Sequence, residues 1–141
     1  MFKPKVIFIC TGNSCRSQIA EGILRDAASD IFDVFSAGSH PSRVHPMAIK
    51  VMNEWGIDIS EHTSDSIDYY LDKGINIVIT VCDHANQVCP RFPGNVERLH
   101  WSIKDPFSGW GEKIEYIVAF RKTRKIIYER IEDFLKNRDI E

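Results

Sequence analysis

Residues 9–17 read ICTGNSCRS, which places a cysteine at 10, an arginine at 16 and a serine at 17 around a short loop. Gly12 and Asn13 are residue types that tolerate left-handed backbone, so the loop can curl until successive N–H groups point inward. Such a ring, opening onto a helix N-terminus, binds anions. Arg16 can return over the loop and grip two oxygens of a tetrahedral oxyanion. Cys10, at the floor, feels the same positive potential, which favours the nucleophilic thiolate, and Ser17 can steady it with its hydroxyl. A lone C-x5-R is more often a small core cysteine in an ordinary strand–turn–helix. The Gly-Asn pair and the trailing serine shift the balance to an oxyanion site built from Thr11, Gly12, Asn13, Ser14, Cys15, Arg16 and Ser17.

Two more thiols, Cys82 and Cys89, stand seven positions apart in VCDHANQVCP (81–90). With His84 they could ligate a metal, but structural zinc wants four ligands in short-spaced pairs and no second pair is present. Asp105 precedes Pro106, by itself only a turn signal. His40 and His45 are expected at the surface, and His62 and His100 satisfied near strand ends. RKTRK (121–125) reads as a solvated helix face, and Trp55, Trp101 and Trp110 as core and rim packing.

The elements that must position these residues follow from periodicity. KVIFIC (5–10) and INIVITV (75–81) are uninterrupted β-prone runs, as in strands buried on both faces of a parallel sheet. DVFSAG (33–38) and VERLHW (96–101) are shorter strands. Helical spacing marks 16–28, and HPMAIKVMNEWG (45–56) reads as a helix with Pro46 in its first turn. A short helix falls within 63–74, and a long one over about 112–137 has Ile117, Phe120, Ile127, Ile131 and Phe134 on one face. Strands alternating with helices predict an α/β fold, a parallel sheet flanked by helices on both faces, in one domain over residues 1–141. Ligands then bind beyond the carboxyl ends of the strands, where Cys10 and Cys82 both fall.

The 43% hydrophobic and 27% charged residues and net charge of −2 fit a soluble globular chain and argue against a nucleic-acid surface. The N-terminal apolar run is too short for a signal peptide or a membrane span. A cytoplasmic location is expected, where thiols stay reduced and a permanent disulfide is disfavoured.

CTGNSCRSQIAEG, with SAG (36–38), HTSD (62–65), VCDHANQVCP and HWSIKDP (100–106), resembles the low-molecular-weight protein tyrosine phosphatases and the arsenate reductases built on the same fold. The family fold is a four-stranded parallel sheet. The resemblance makes Asp105 the acid that protonates the departing oxygen, and Cys15 a supporting loop thiol. VCDHANQVCP looks like the thioredoxin-coupled arsenate reductases in particular. That implies a relay in which Cys10 takes arsenate, Cys82 attacks Cys10 and Cys89 attacks Cys82, with thioredoxin reducing the last disulfide. Phosphate or sulfate would occupy the same loop, no cofactor is required, and a potassium ion at Asn13, Ser36, Thr63 and Asp65 would stabilise it. A disulfide needs Cα atoms about 4.4–6.8 Å apart, whereas a helix over 82–89 would separate them by about 10 Å. Asn86, Gln87 and Pro90 speak against a durable helix there, so a mobile loop is expected. Two alternatives stand beside this reading. One is a phosphatase working through a Cys10 phosphoenzyme, with Tyr69 and Tyr70 at the entrance; weak phosphatase activity is expected in either case. The other is a redox-sensitive oxyanion-binding module without turnover.

Overall fold

A computed structural model describes residues 2–138. The chain runs β1 (Lys5–Cys10), α1 (Arg16–Ala28), β2 (Asp33–Gly38), α2 (Pro46–Asn53), α3 (Ile67–Tyr70), β3 (Ile77–Thr80), α4 (Asp83–Val88), β4 (Glu97–His100) and α5 (Ile114–Lys136). All strand pairs are parallel, in the order β2-β1-β3-β4. The chain therefore leaves β1 for β2 on one side and returns to β3 on the other. The crevice between the carboxyl ends of β1 and β3 is the switch point where such sheets bind ligands.

Val6–Ile9 and Ile79 are fully buried, as their unbroken apolar runs require. β3 is shorter than its apolar run, yet Asn76 and Val81 still donate N–H groups to Lys5 and Ile9 of β1. α1 packs against β1, β2 and α5, and α2 packs on α5. α5 buries Ile117, Phe120, Ile127, Ile131 and Phe134, the face its periodicity predicts. Trp101 stands between Phe8 of β1 and Phe134 of α5. Gly56 and Gly74 adopt φ +74° just beyond α2 and α3, where the chain must turn away.

Three local expectations are corrected. RKTRK is not simply a solvated face. Arg121 pairs with Glu54, and Arg124, largely buried, bonds the Val51 carbonyl and Glu54 and lies 4.3 Å over Trp55. His45 is not at the surface but fully buried, because its ring caps the first turn of α2. The 82–89 stretch is a helix rather than a loop. Cys82 supplies the N-cap, its Sγ accepting from the Ala85 N–H at 3.4 Å, with Asp83 in the first turn. Arg98 donates to the Asn86 carbonyl at 2.8 Å, so contacts from β4 outweigh the weak helix propensity of Asn86 and Gln87. No helix among the described residues is long and apolar enough to cross a membrane.

Candidate active site

The loop between β1 and α1 is shaped by where its carbonyls go. The Thr11 carbonyl accepts from His40 N–H, the Gly12 carbonyl from Ser42 N–H and the Ser14 carbonyl from His45 N–H. The Asn13 carbonyl accepts from the Gln18 amide at 3.1 Å. Four consecutive carbonyls thus face outward, which leaves the loop N–H groups for the interior. Cys15, the N-cap residue of α1, offers no side-chain cap, so the first-turn N–H groups of α1 also remain for a ligand.

Asn13 is the only non-glycine with positive φ among the described residues, at 47°. Gly12, the other residue suited to that conformation, does not use it. Asn13 is held by its side chain, which donates to Ser17 Oγ (2.8 Å) and Ser36 Oγ (2.9 Å) and accepts from the Asp65 N–H (2.8 Å). Gly38 lets β2 approach, since a Cβ there would sit 2.5 Å from the Thr11 carbonyl oxygen.

Cys10 is buried at the floor, with Sγ 2.9 Å from Ser17 Oγ. Asn13 already donates to that hydroxyl, so the Ser17 proton is directed at the sulfur. Arg16 donates to the Ile103 carbonyl at 2.9 Å, and its Nη2 lies 3.5 Å from Asp105 Oδ2. Its buried Nε has no partner, an open donor beside the loop. Asp105 is half exposed, and its Oδ1 accepts from the Phe107 N–H at 3.0 Å. Cys10, Arg16 and Asp105 line one cavity of about 210 Å³ with Thr11, Gly12, Ser14, Cys15, Ser42, Phe107 and Trp110.

All four cysteines are free thiols. Cys82 is buried beside the loop, its Sγ 3.4 Å from Thr11 Oγ1. Half-buried Cys89 closes the far end of α4, and burial pushes its thiol pKa up. Burial raises Cys15 much further, to about 12, so it stays a protonated thiol in the cavity wall.

The four oxygen-bearing residues Asn13, Ser36, Thr63 and Asp65 are linked behind the loop. Asn13 bridges Ser36 and Asp65, and Thr63 Oγ1 donates to Asp65 at 2.8 Å. Glu21, which sequence reasoning missed, joins them as a buried carboxylate accepting from Ser36 and Arg25. Its helical spacing of four from Ser17 is a signal that could have found it. Tyr69 and Tyr70 do not line the entrance. Tyr70 packs on Phe35 and Tyr69 is exposed beside it. The aromatic walls are Phe107 and Trp110, which follow Asp105 within five positions and were missed because an Asp-Pro step reads as a plain turn.

Residues 5–140 match the family model described as low molecular weight phosphotyrosine protein phosphatase. An arsenate reductase of Halalkalibacterium halodurans is 48% identical over 134 residues, covering 95% of this chain and 96% of the relative. An arsenate reductase solved in its oxidized state superposes with a TM-score of 0.80 at 34% identity, over 94% of this chain and 97% of that one. A thioredoxin-dependent arsenate reductase of Corynebacterium glutamicum superposes with a TM-score of 0.75 at 29% identity, over 96% of this chain and 61% of that one. The chain therefore belongs to the low molecular weight phosphotyrosine protein phosphatase family, alongside its members that are named arsenate reductases.

Proposed function

We propose that the protein reduces arsenate to arsenite in the cytoplasm, as one domain, through Cys10, Cys82 and Cys89 in that order. The observation that carries this reading is the line of thiols. Cys10 lies under an oxyanion cradle, Cys82 touches that cradle through Thr11, and Cys89 sits at the other end of a six-residue helix. A phosphatase needs only the first of them.

Arsenate enters the loop against the inward N–H groups and the Arg16 guanidinium. The Cys10 thiolate attacks arsenic(V), and Asp105 gives a proton to the oxygen that leaves as water. The Cys82 thiolate then attacks Cys10 Sγ. The S–As bond breaks, its electron pair stays on arsenic, and arsenite departs as a Cys10–Cys82 disulfide forms. Cys89 attacks Cys82 in turn, freeing the Cys10 thiolate and leaving a Cys82–Cys89 disulfide. That bond cannot span an intact α4, so the helix must open. Thioredoxin supplies the two electrons that reduce it.

The test is arsenate-dependent NADPH oxidation through thioredoxin and thioredoxin reductase. Wild type should turn over repeatedly, and Cys89→Ser should release one equivalent of arsenite and stop. Full repeated turnover in Cys89→Ser would remove the third thiol from the scheme. Phosphomonoesters are the second substrate class, favoured by the aromatic walls Phe107 and Trp110, which suit an aryl phosphate.

The oxygens of Asn13, Ser36, Thr63 and Asp65, with the Glu21 carboxylate close by, are hard donors suited to potassium. These residues would hold the ion, and its charge would stiffen the loop from behind. A Tm that rises when potassium replaces sodium is the expected result; an unchanged Tm excludes the site.

A further inference from the structure

We propose that His45 is a positioning residue for the catalytic acid, tethering the segment that carries Asp105 to the oxyanion loop. His45 lies outside the cavity and touches no substrate, yet it is bonded to both halves of the site. Its backbone N–H donates to the Ser14 carbonyl at 3.0 Å, which fixes the loop just before α1. Its Nδ1 accepts from the Met47 N–H at 3.0 Å, so the ring proton belongs to Nε2. Nε2 is 2.6 Å from the Gly109 carbonyl, and donates to it. The imidazole also lies flat against Trp110 (5.3 Å between centroids, 16° between planes) and edge-on to Phe107 (5.6 Å, 89°). On its remaining side it packs 4.8 Å from Phe120 of α5.

The segment between β4 and α5 needs such an anchor. Residues 101–113 have no helix or strand of their own. Asp105 itself is held only by the Phe107 N–H and the 3.5 Å approach of Arg16. Phe107, Gly109 and Trp110, the next fixed points along the chain, all converge on the one buried ring. A helix cap alone would not require this residue, because asparagine, aspartate or serine accept from a first-turn N–H as well or better. Reach explains the histidine: its second nitrogen lies far enough from the backbone to meet Gly109 while the first caps α2. Two charged groups face this cluster, Arg43 stacked 4.4 Å over Trp110 and Asp105 itself. Burial holds the imidazole pKa below its ordinary 6.5, which keeps Nδ1 free to accept near neutral pH.

This rests on the reading of Asp105 as proton donor, and the experiment separates the two. His45→Asn keeps an acceptor at the Nδ1 position and loses the reach to Gly109. His45→Gln keeps a donor at the Nε2 position and loses the cap. Single-turnover arsenite release is measured beside the affinity for inorganic phosphate, in each variant and in Asp105→Asn. His45→Asn should release arsenite roughly 10- to 100-fold more slowly, as a displacement of about 1 Å in a reacting group can cause. Its phosphate affinity should stay within about twofold, and His45→Gln should recover most of the rate. The double variant His45→Asn/Asp105→Asn should be no slower than Asp105→Asn alone, because both changes remove one function. A wild-type rate in His45→Asn beside a slow Asp105→Asn overturns the tether and spares the acid. A wild-type rate in Asp105→Asn removes the acid and the tether together. Additive losses, or parallel losses of rate and phosphate affinity, reduce His45 to a structural residue. A nitrogen NMR spectrum of the wild type decides independently of how the variants fold: the ring must carry its proton on Nε2, and an Nδ1-protonated ring overturns the proposal.

Discussion

The loop between β1 and α1 and the helix α4 adjoin each other at Thr11 and Cys82, yet they are held in opposite ways. The loop is locked from behind by a fully buried Asn13, a buried sulfur fixed by Ser17, and outward carbonyls bonded to the 40–45 segment and Gln18. The helix α4 starts at a buried Cys82 cap, but along its outer side it is pinned by exposed side chains. His100 meets Asp83 at 2.9 Å, and Arg98 meets the Asn86 carbonyl. Buried, mutually satisfied polar groups rigidify, whereas exposed pairs contribute little and break readily. Under the relay proposed above the difference would match two tasks: a cradle that stays still while an anion is attacked, and a helix that opens to deliver its thiol.

The comparison can be broken most severely at Asn13. Asn13→Ala removes three hydrogen bonds and leaves a residue strained at φ 47°. It should cost about 3 kcal/mol in denaturant unfolding and abolish phosphate binding. Gly38→Ala forces a methyl against the Thr11 carbonyl. A loss of about 1–3 kcal/mol is expected, with phosphate affinity falling in the same calorimetric titration. Away from both regions, the Arg121 and Arg124 guanidiniums hold the Glu54 pKa down at about 2, against an ordinary 4.5. That stability is present above pH 4.5 and lost as pH falls from there toward 2, because the unfolded chain takes up the proton first. Solvent screening limits it to about 1 kcal/mol. Glu54→Gln should flatten that acid limb in a plot of Tm against pH, leaving an earlier fall below pH 6.5 from His45 and His62, whose pKa values burial depresses. The smallest effect sharpens the comparison. Asp83→Asn weakens the pin from His100, and formation of the Cys82–Cys89 disulfide should quicken by roughly two- to fivefold. A slower disulfide would mean that the pin serves the relay instead of restraining it.

Much of this was legible in the residues. The strands and α5 follow from apolar runs and a helical stripe, and the loop from Cys10, Gly12, Asn13 and Arg16. What stayed hidden depends on partners distant in sequence. Asn86 looks like a helix breaker until Arg98 is seen bonding its carbonyl. His45, before a proline, looks exposed until Gly109 and Trp110 close over it, 64 and 65 positions away. Tyr69 and Tyr70 looked like entrance aromatics because local sequence does not say which way a one-turn helix faces.

The outward-turned carbonyls carry one more consequence. A cup lined with main-chain N–H groups recognises a tetrahedron of a given size and charge, and it has no means of telling arsenic from phosphorus. Phosphate should therefore compete with arsenate for the same cup. Discrimination falls to a later moment: sulfur can bond to either element, but only arsenic readily keeps the bonding pair when a second thiol attacks that sulfur, so under the proposed relay the choice is made by reducibility, after both have been admitted.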